Sequence, residues 1–441
     1  MIILVKAAQL ILSLSIMVII HEMGHFSFAK LFKCRIEKFY LFFDPWFSLF
    51  KMKKGDTEYG VGWLPLGGYV KISGMIDESM DREQLKQPPQ PWEFRSKSTW
   101  QRLIIMVGGV FFNLLLALVI YSGVLFVWGD QYLPLKNVTY GIVVDKTGKE
   151  MGLKNGDKPV SVDGNEIEDF KKFLPYIILN EAKTIQVQRD SERLDIPINT
   201  EIIPKLIKDP YAISLRIPYS CTIKGFAKDS PARDAGMDLG DKILAINGYD
   251  FRFYDQFTDT LTASKGKVIR VKIDRKGKDM ELPVKIGQNG MLGIEREVNM
   301  AGIFQFKTIH YGLLESIPAG ISRGYRAIGD YLKQFKLLFS PETKAYESLG
   351  GFIAIGNFFP GEWDWESFWS LTAFLSIILA VMNILPIPAL DGGYVLFLLY
   401  EIITGRKPSD KFLEYAQITG MILLVTLLLY ANGNDIIKLF K

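Results

Sequence analysis

Residues 2–20 form an apolar run whose only charge is Lys6, and it leads without a break into His21-Glu22-Met23-Gly24-His25. A run of this length reads as a membrane-spanning helix, since about 30 Å of hydrocarbon takes roughly 20 residues at about 1.5 Å each. On such a helix His21 and His25 stand one turn apart on one face, so both imidazoles reach a single metal ion. Glu22 lies beside that face, where a carboxylate takes a proton from an activated water. Two histidines and a glutamate in hydrocarbon are costly and rarely sit there without a role. The chain has three histidines, and this pattern takes two of them. The spacing predicts a metal site inside the membrane. The alternatives are a chance match and a histidine that only bonds a neighbouring helix.

Three more apolar blocks follow, and the spans are expected at 1–32, 103–128, 367–390 and 412–432. The first lacks a small-residue cleavage site, and cleavage near its end would remove the metal pattern, so it reads as an anchor that stays. Positive charge orients the set. The 33–102 segment carries Lys30 and Lys33 at its edge and then Arg35, Lys38, Lys51, Lys53, Lys54, Lys71, Arg95, Lys97 and Arg102, and the last connection carries Arg406, Lys407 and Lys411. Both are expected in the cytoplasm, which leaves the termini and the long 129–366 segment on the outer or periplasmic side. Hydrophobic content is only 49% because these apolar blocks flank a charged, strand-rich middle. A net charge of +4 argues against nucleic acid as a partner. Cys34 and Cys221 fall on opposite sides in this topology, so no disulfide is expected, and two cysteines are too few for a thiolate zinc cage.

The exported segment contains a repeat. Met-Gly-Leu-Lys-Asn-Gly-Asp-Lys from Met151 matches Ala-Gly-Met-Asp-Leu-Gly-Asp-Lys from Ala235, and each continues into a short alternating strand and an Asp-Gly or Asn-Gly turn. Two copies suggest sibling β-rich domains, over 137–218 and 219–298, rather than a solenoid. The pattern resembles a tandem of bacterial PDZ domains, with Ser230-Pro-Ala-Arg-Asp-Ala-Gly in the better-matching copy. Such domains add an extended peptide as a strand at a sheet edge, and rigid spacers are the plainer alternative. Beyond the pair, over 308–366, Tyr325, Ile328, Leu332, Phe335 and Phe339 recur at helical spacing among Arg323, Arg326, Lys333 and Lys336. That predicts an amphipathic helix, at the membrane surface or packed on the spans.

A zinc ion needs a third protein ligand besides a water. His310 lies on the outer side, far from a cytoplasm-facing site, and Cys34 is a weak candidate. Asp391 fits best, in Asn383-Ile-Leu-Pro-Ile-Pro-Ala-Leu-Asp-Gly-Gly393 at the cytoplasmic end of the third span. Pro386 and Pro388 break the helix there, and Gly392 and Gly393 permit a sharp turn. Irregular backbone at that depth requires protein or water to satisfy it, which suits a ligand held on an unwound segment.

These motifs together resemble the bacterial site-2 intramembrane zinc metalloproteases, in the RseP-type branch that cuts membrane-spanning anti-sigma factors. The resemblance covers nearly the whole chain. It implies a polytopic α-helical membrane protein of four spans, with two exported PDZ domains and a membrane-associated β-loop, in the bacterial inner membrane. It further implies His21, His25 and Asp391 as ligands of Zn2+, Glu22 as general base and Asn383 near the reacting carbonyl. Gly109-Val-Phe-Phe-Asn113 matches the family's second-span motif, and small Gly108 and Gly109 would permit close helix approach. The stretch around Gly67, Gly68, Tyr69 and Val70 resembles the β-loop that pairs with substrate, and Asn113 is expected to contact substrate with it. Two departures stand out: Tyr394 replaces the family's usual His, and Phe352 replaces a common Pro.

The implied reaction is hydrolysis of a peptide bond within the transmembrane segment of a single-span protein, already trimmed on its outer side. A non-enzymatic PDZ adaptor with structural zinc is one rival. A metal transporter is the other, weakened by the lack of inverted repeats or of further intramembrane acids.

Overall fold

The computed structural model describes residues 2–75, 88–338, 340, 341, 343 and 345–440, so Phe339 and residues 76–87 of the expected cytoplasmic segment lie outside the description. Among the described residues, four helices are long and apolar enough to cross a membrane: Ile2–Leu31, Thr99–Val127, Trp365–Ile384 and Lys411–Lys438. The chain divides into two units, one of residues 1–130, 310–336 and 346–441, the other of residues 131–309 and 337–345.

In the first unit, helix α1 (Ile2–Leu31) is followed by strands β1 (Ile36–Lys54) and β2 (Thr57–Ile72) and helix α2 (Thr99–Val127). Then come α3 (Leu313–Leu338), α4 (Phe352–Phe358), α5 (Trp365–Ile384), α6 (Asp391–Thr404) and α7 (Asp410–Leu439). Hydrocarbon forces each span to satisfy its own backbone, which is why apolar runs with few breakers become helices. A capping box of Ser98 and Gln101 starts α2. This helix is central, packing on α1, α5 and α6. It meets α1 with backbones touching, since a Cβ on Gly24 would collide with the Gly108 carbonyl. Only glycine permits that approach.

The helix expected over 367–390 stops at Ile384. Pro386 disfavours helical backbone at the preceding residue, and Leu385 is extended, with φ −60° and ψ 142°. The chain turns through Ala389, whose φ of 76° is strained for a residue bearing a Cβ, and α6 begins at Asp391. On α7, Gly420 abuts the Pro388 carbonyl, where any side chain would clash. The amphipathic helix α3 turns Gly320, Gly324, Ala327 and Ile328 toward Leu118, Tyr121 and Ser122 of α2. Tyr325 and Leu332, expected on its packed face, are exposed, because the two glycines let the other side come closer.

β1 and β2 make one antiparallel sheet in which both strands bend. Residues 57–62 lie between 36–43 and 48–54, while 64–72 pairs on the far side of 36–43 and forms an edge among the described residues.

In the second unit, the strands Lys158–Val162, Thr184–Arg189 and Glu192–Pro197 form a sheet in that order, beside a pair Ile142–Val144 with Ile213–Leu215 and a helix Phe173–Leu179. The second repeat has the same parts: a sheet containing Lys242–Ile246, Val268–Arg275 and Lys278–Lys285, a pair Ile223–Phe226 with Ile294–Arg296, and a helix Tyr254–Ala263. Each repeat has its own apolar core. That of the first also takes Leu133, Leu135 and Phe304, which lie outside the expected 137–298 boundaries, because its three-stranded sheet and short helices leave apolar surface for flanking chain to cover. The repeats are joined by Arg216, which donates to both carboxylate oxygens of Asp255 at 3.1 and 3.0 Å and lies over the Phe253 ring at 3.9 Å. Cys34 and Cys221 are both free and buried.

Candidate metal centre

Along α1 the buried positions Gln9, Ser13, Met17, His21 and His25 recur every four residues, so one face turns inward and carries both imidazoles. Asp391 arrives at the N-terminus of α6. Its Oδ2 stands 3.3 Å from His21 Nε2 and 3.3 Å from His25 Nε2, and the two Nε2 atoms are 3.3 Å apart. Ligand atoms about 2.0–2.1 Å from a tetrahedral zinc ion stand about 3.3–3.4 Å from one another. The triangle has the size of the ion.

Electrostatics makes the same point. His25 Nδ1 is 2.9 Å from the Ile105 carbonyl, to which it donates, so Nε2 presents a lone pair. The Asn113 Nδ2 lies 3.3 Å from His21 Nδ1 while its Oδ1 is buried with no hydrogen-bond partner; an amide turned over to present that oxygen would accept Nδ1–H, satisfy it and leave Nε2 with a lone pair too. Asp391 Oδ2 is buried with no hydrogen-bond donor. Three electron-rich atoms this close repel unless a cation sits among them. The three side chains fit a zinc ion, and they are the sole group of this kind among the described residues.

The surroundings leave space for the two rings. A Cβ on Gly109 would lie 2.5 Å from both His21 Cε1 and His25 Nε2, so α2 must present hydrogen there. A buried ion pair ties α2 to the Asp391 helix: Arg102 Nη2 meets Glu401 Oε1 at 2.6 Å, and Thr99 Oγ1 donates to the same oxygen at 3.0 Å.

A cavity of about 730 Å³ opens beside the triangle. Glu22, Asn383, Gly67, Gly68, Tyr69 and Val70 line it with the three candidate ligands. Asn383 Nδ2 is 3.3 Å from His21 Nε2. Gly68 brings the 64–72 edge onto α1, where a Cβ would press 2.6 Å from Val18 Cγ1. The Val70 backbone hydrogen-bonds Glu22, and the Tyr69 hydroxyl donates to Asp44 Oδ1 at 2.9 Å. Asn113 is fully buried and does not line the cavity; it stands behind the His21 ring. His310 and Cys34 are not in the group. The Ile105 carbonyl, the Arg102–Glu401 tie and the Ala389 turn carried no sequence signal, whereas the Gly108-Gly109 pair did signal close packing.

A family model described as peptidase family M50 matches residues 9–427. The "Regulator of sigma-E protease RseP" of Escherichia coli is 27% identical over 458 residues, covering 98% of each chain. "Protease RseP" of Yersinia pestis is 27% identical over 466 residues, 99% of each chain. "Regulator of sigma E protease" of Haemophilus influenzae is 26% identical over 454 residues, 97% of this chain and 98% of the relative. These matches favour the enzyme over the non-catalytic adaptor. The chain belongs to peptidase family M50 and is a site-2 zinc metalloprotease with helices fit to span a membrane.

Proposed function

We propose that this protein hydrolyses a peptide bond inside the transmembrane segment of single-span membrane proteins, with zinc held by His21, His25 and Asp391. The observation that carries the assignment is the triangle of 3.3 Å separations among three electron-rich atoms. When bound, zinc supplies the Lewis acidity that brings a water's pKa toward about 7. Glu22, on the cavity wall, would take a proton from the attacking water as its oxygen bonds to the carbonyl carbon, and pass that proton to the leaving nitrogen as the carbon–nitrogen bond breaks. Asn383 donates through its amide to the carbonyl oxygen, and Asn113, with its unpartnered Oδ1 turned to the ring, would keep His21 in its ligating tautomer. A helix hides its carbonyls, so the substrate must be extended to react, and the 64–72 strand beside Glu22, an edge among the described residues, supports pairing with an extended chain.

The basic loops support an orientation with the site toward the cytoplasmic side of a bacterial inner membrane and the exported repeats outside. We read the repeats as a PDZ pair that filters substrates by the size of their outer part, so that trimmed single-span proteins such as anti-sigma factors are cut.

Co-expression with single-span reporters tests this. Wild type is expected to release the cytoplasmic fragment. Glu22→Gln should keep zinc with less than about a hundredth of the rate, the scale of a lost general base. Asp391→Ala should lose both zinc and cleavage while still inserting. Full activity of Asp391→Ala would remove that residue from the ligand set.

A further inference from the structure

The cavity beside the metal triangle has a basic end that hydrolysis does not use. Lys38 and Lys71 are directly opposite each other across the 36–43 and 64–72 pairing, and both line the cavity. Like charges directly opposite in an antiparallel pair destabilise it. Neighbouring acids are shared with other donors. Glu37 pairs with Lys71 at 3.3 Å and also accepts from Ser73 Oγ at 2.8 Å. Glu58, on the other side of Lys38, accepts from the Tyr40 hydroxyl at 2.7 Å, and Asp44 is held by Tyr69 and Ser48. Lys38 itself has no carboxylate within salt-bridge distance among the described residues, and its ammonium stands 5.5 Å from the Tyr40 ring centroid. A half-buried cation facing a cavity, beside a second cation, is a place for an anion to arrive.

What arrives is set by the strand. Lys71 follows Val70, whose backbone bonds Glu22, so the basic end lies one residue along the edge from the catalytic level. At about 3.3 Å per extended residue, a side chain within roughly three positions of the cut reaches it. We infer that Lys38, assisted by Lys71, selects substrates with an Asp or Glu carboxylate within about three residues of the scissile bond, and repels those with Lys or Arg there. This rests on the proteolytic reading above and narrows it. Cytoplasmic flanks of ordinary spans are rich in Lys and Arg, so a repulsive lysine at this place spares most of them.

The test is a scan of Asp, Asn and Lys across the positions flanking the cut in a single-span reporter. It is read as cleavage rate by the zinc-loaded enzyme and, in parallel, as retention by Glu22→Gln. At one position near the cut, wild type should favour Asp over Lys by roughly tenfold, less at high salt. Lys38→Gln should abolish the preference, and Lys38→Glu should invert it, which a merely structural lysine would not do. Lys71→Gln should weaken it in the same direction. Cleavage without a flank preference overturns the inference and leaves the protease intact. Absence of cleavage together with equal retention of all reporters overturns both, whereas graded retention without cleavage overturns only the protease reading. If Lys38→Gln changes all reporters equally, and only in vesicles containing phosphatidylglycerol, the lysine holds a lipid headgroup and the inference fails.

Discussion

At the scale of single residues, the metal centre depends as much on what is missing as on what is present. His21, His25 and Asp391 are the proposed donors, but Gly109 supplies the space in which the two rings meet. Gly109→Ala places a methyl carbon 2.5 Å from His21 Cε1 and His25 Nε2, closer than carbon packs against either atom. The rings must swing and the 3.3 Å triangle opens. The expected outcome is a protein that inserts normally but has lost most of its zinc and its cleavage, checked by metal analysis of the purified variant. Zinc content equal to wild type would mean that α2 can retreat from α1, which the Gly24–Gly108 contact argues against. The candidate ligands were legible in the sequence because histidines one turn apart share a face whatever the tertiary fold. That a backbone carbonyl at Ile105 sets the tautomer of His25 and that the Asn113 amide stands behind His21 was not legible, since a carbonyl leaves no mark in sequence.

At the scale of elements, Asp391 is held by its helix, and the helix by Glu401. Arg102 and Glu401 are nearly buried, and removing one partner of such a pair leaves an uncompensated charge, costing about 3–5 kcal/mol. Glu401→Ala should therefore lower the thermal stability of the membrane unit and loosen zinc. Glu401→Gln, which still accepts from Thr99 and Arg102, should lose less. Thermal unfolding with and without a chelator measures both effects, and an unchanged midpoint in Glu401→Ala would show that α6 is held elsewhere. The same logic explains the Gly-Asp repeat of the second unit. Asp157 receives Arg189 through two bonds of 2.7 Å, and Asp241 receives Arg275 at 2.8 and 2.7 Å, while each carboxylate also caps its turn through the Lys154 or Asp238 amide. Each copy thus clips its turn to the end of its hairpin. Burial pushes Asp241 up, but the Arg275 bonds and the Asp238 amide more than offset this and hold it below its ordinary 3.8. A depressed carboxylate contributes stability above its unfolded pKa and loses it as pH falls through the folded value. The second unit should thus weaken in acid below about pH 4, and Asp241→Asn should flatten that dependence in a pH series of thermal melts. An identical acid profile in both would remove the clip from the account.

At the scale of the whole molecule, the two repeats stand between the second and third apolar helices in sequence, and their proposed part is to restrain cleavage. The structure sharpens how that is tested. Deleting 137–298 would strand Leu133, Leu135 and Phe304, which belong to the core of the first repeat, and leave apolar surface bare. Removal of the whole of residues 131–309 is the cleaner cut. The shortened enzyme should then cleave reporters with intact outer domains, while its rate on trimmed reporters changes little. Loss of cleavage on trimmed reporters, in a protein that inserts and binds zinc, would mean that the repeats recruit substrate rather than filter it.

The sequence by itself determined the helices, the pair of imidazoles, the acid most suited to join them and the twofold pattern of the second unit. Each of these rests on local periodicity or on a short motif: apolar length, a four-residue step, paired prolines, a recurring Gly-Asp turn. The tertiary structure decided what lies between elements far apart in the chain. It placed Asn113 behind His21 rather than in the cavity wall, turned α3 so that glycines rather than aromatics face α2, and brought Lys38 opposite Lys71 at the end of the cavity. Those outcomes depend on close approach and on register. Both follow from how whole faces fit together, and no window of sequence contains both faces.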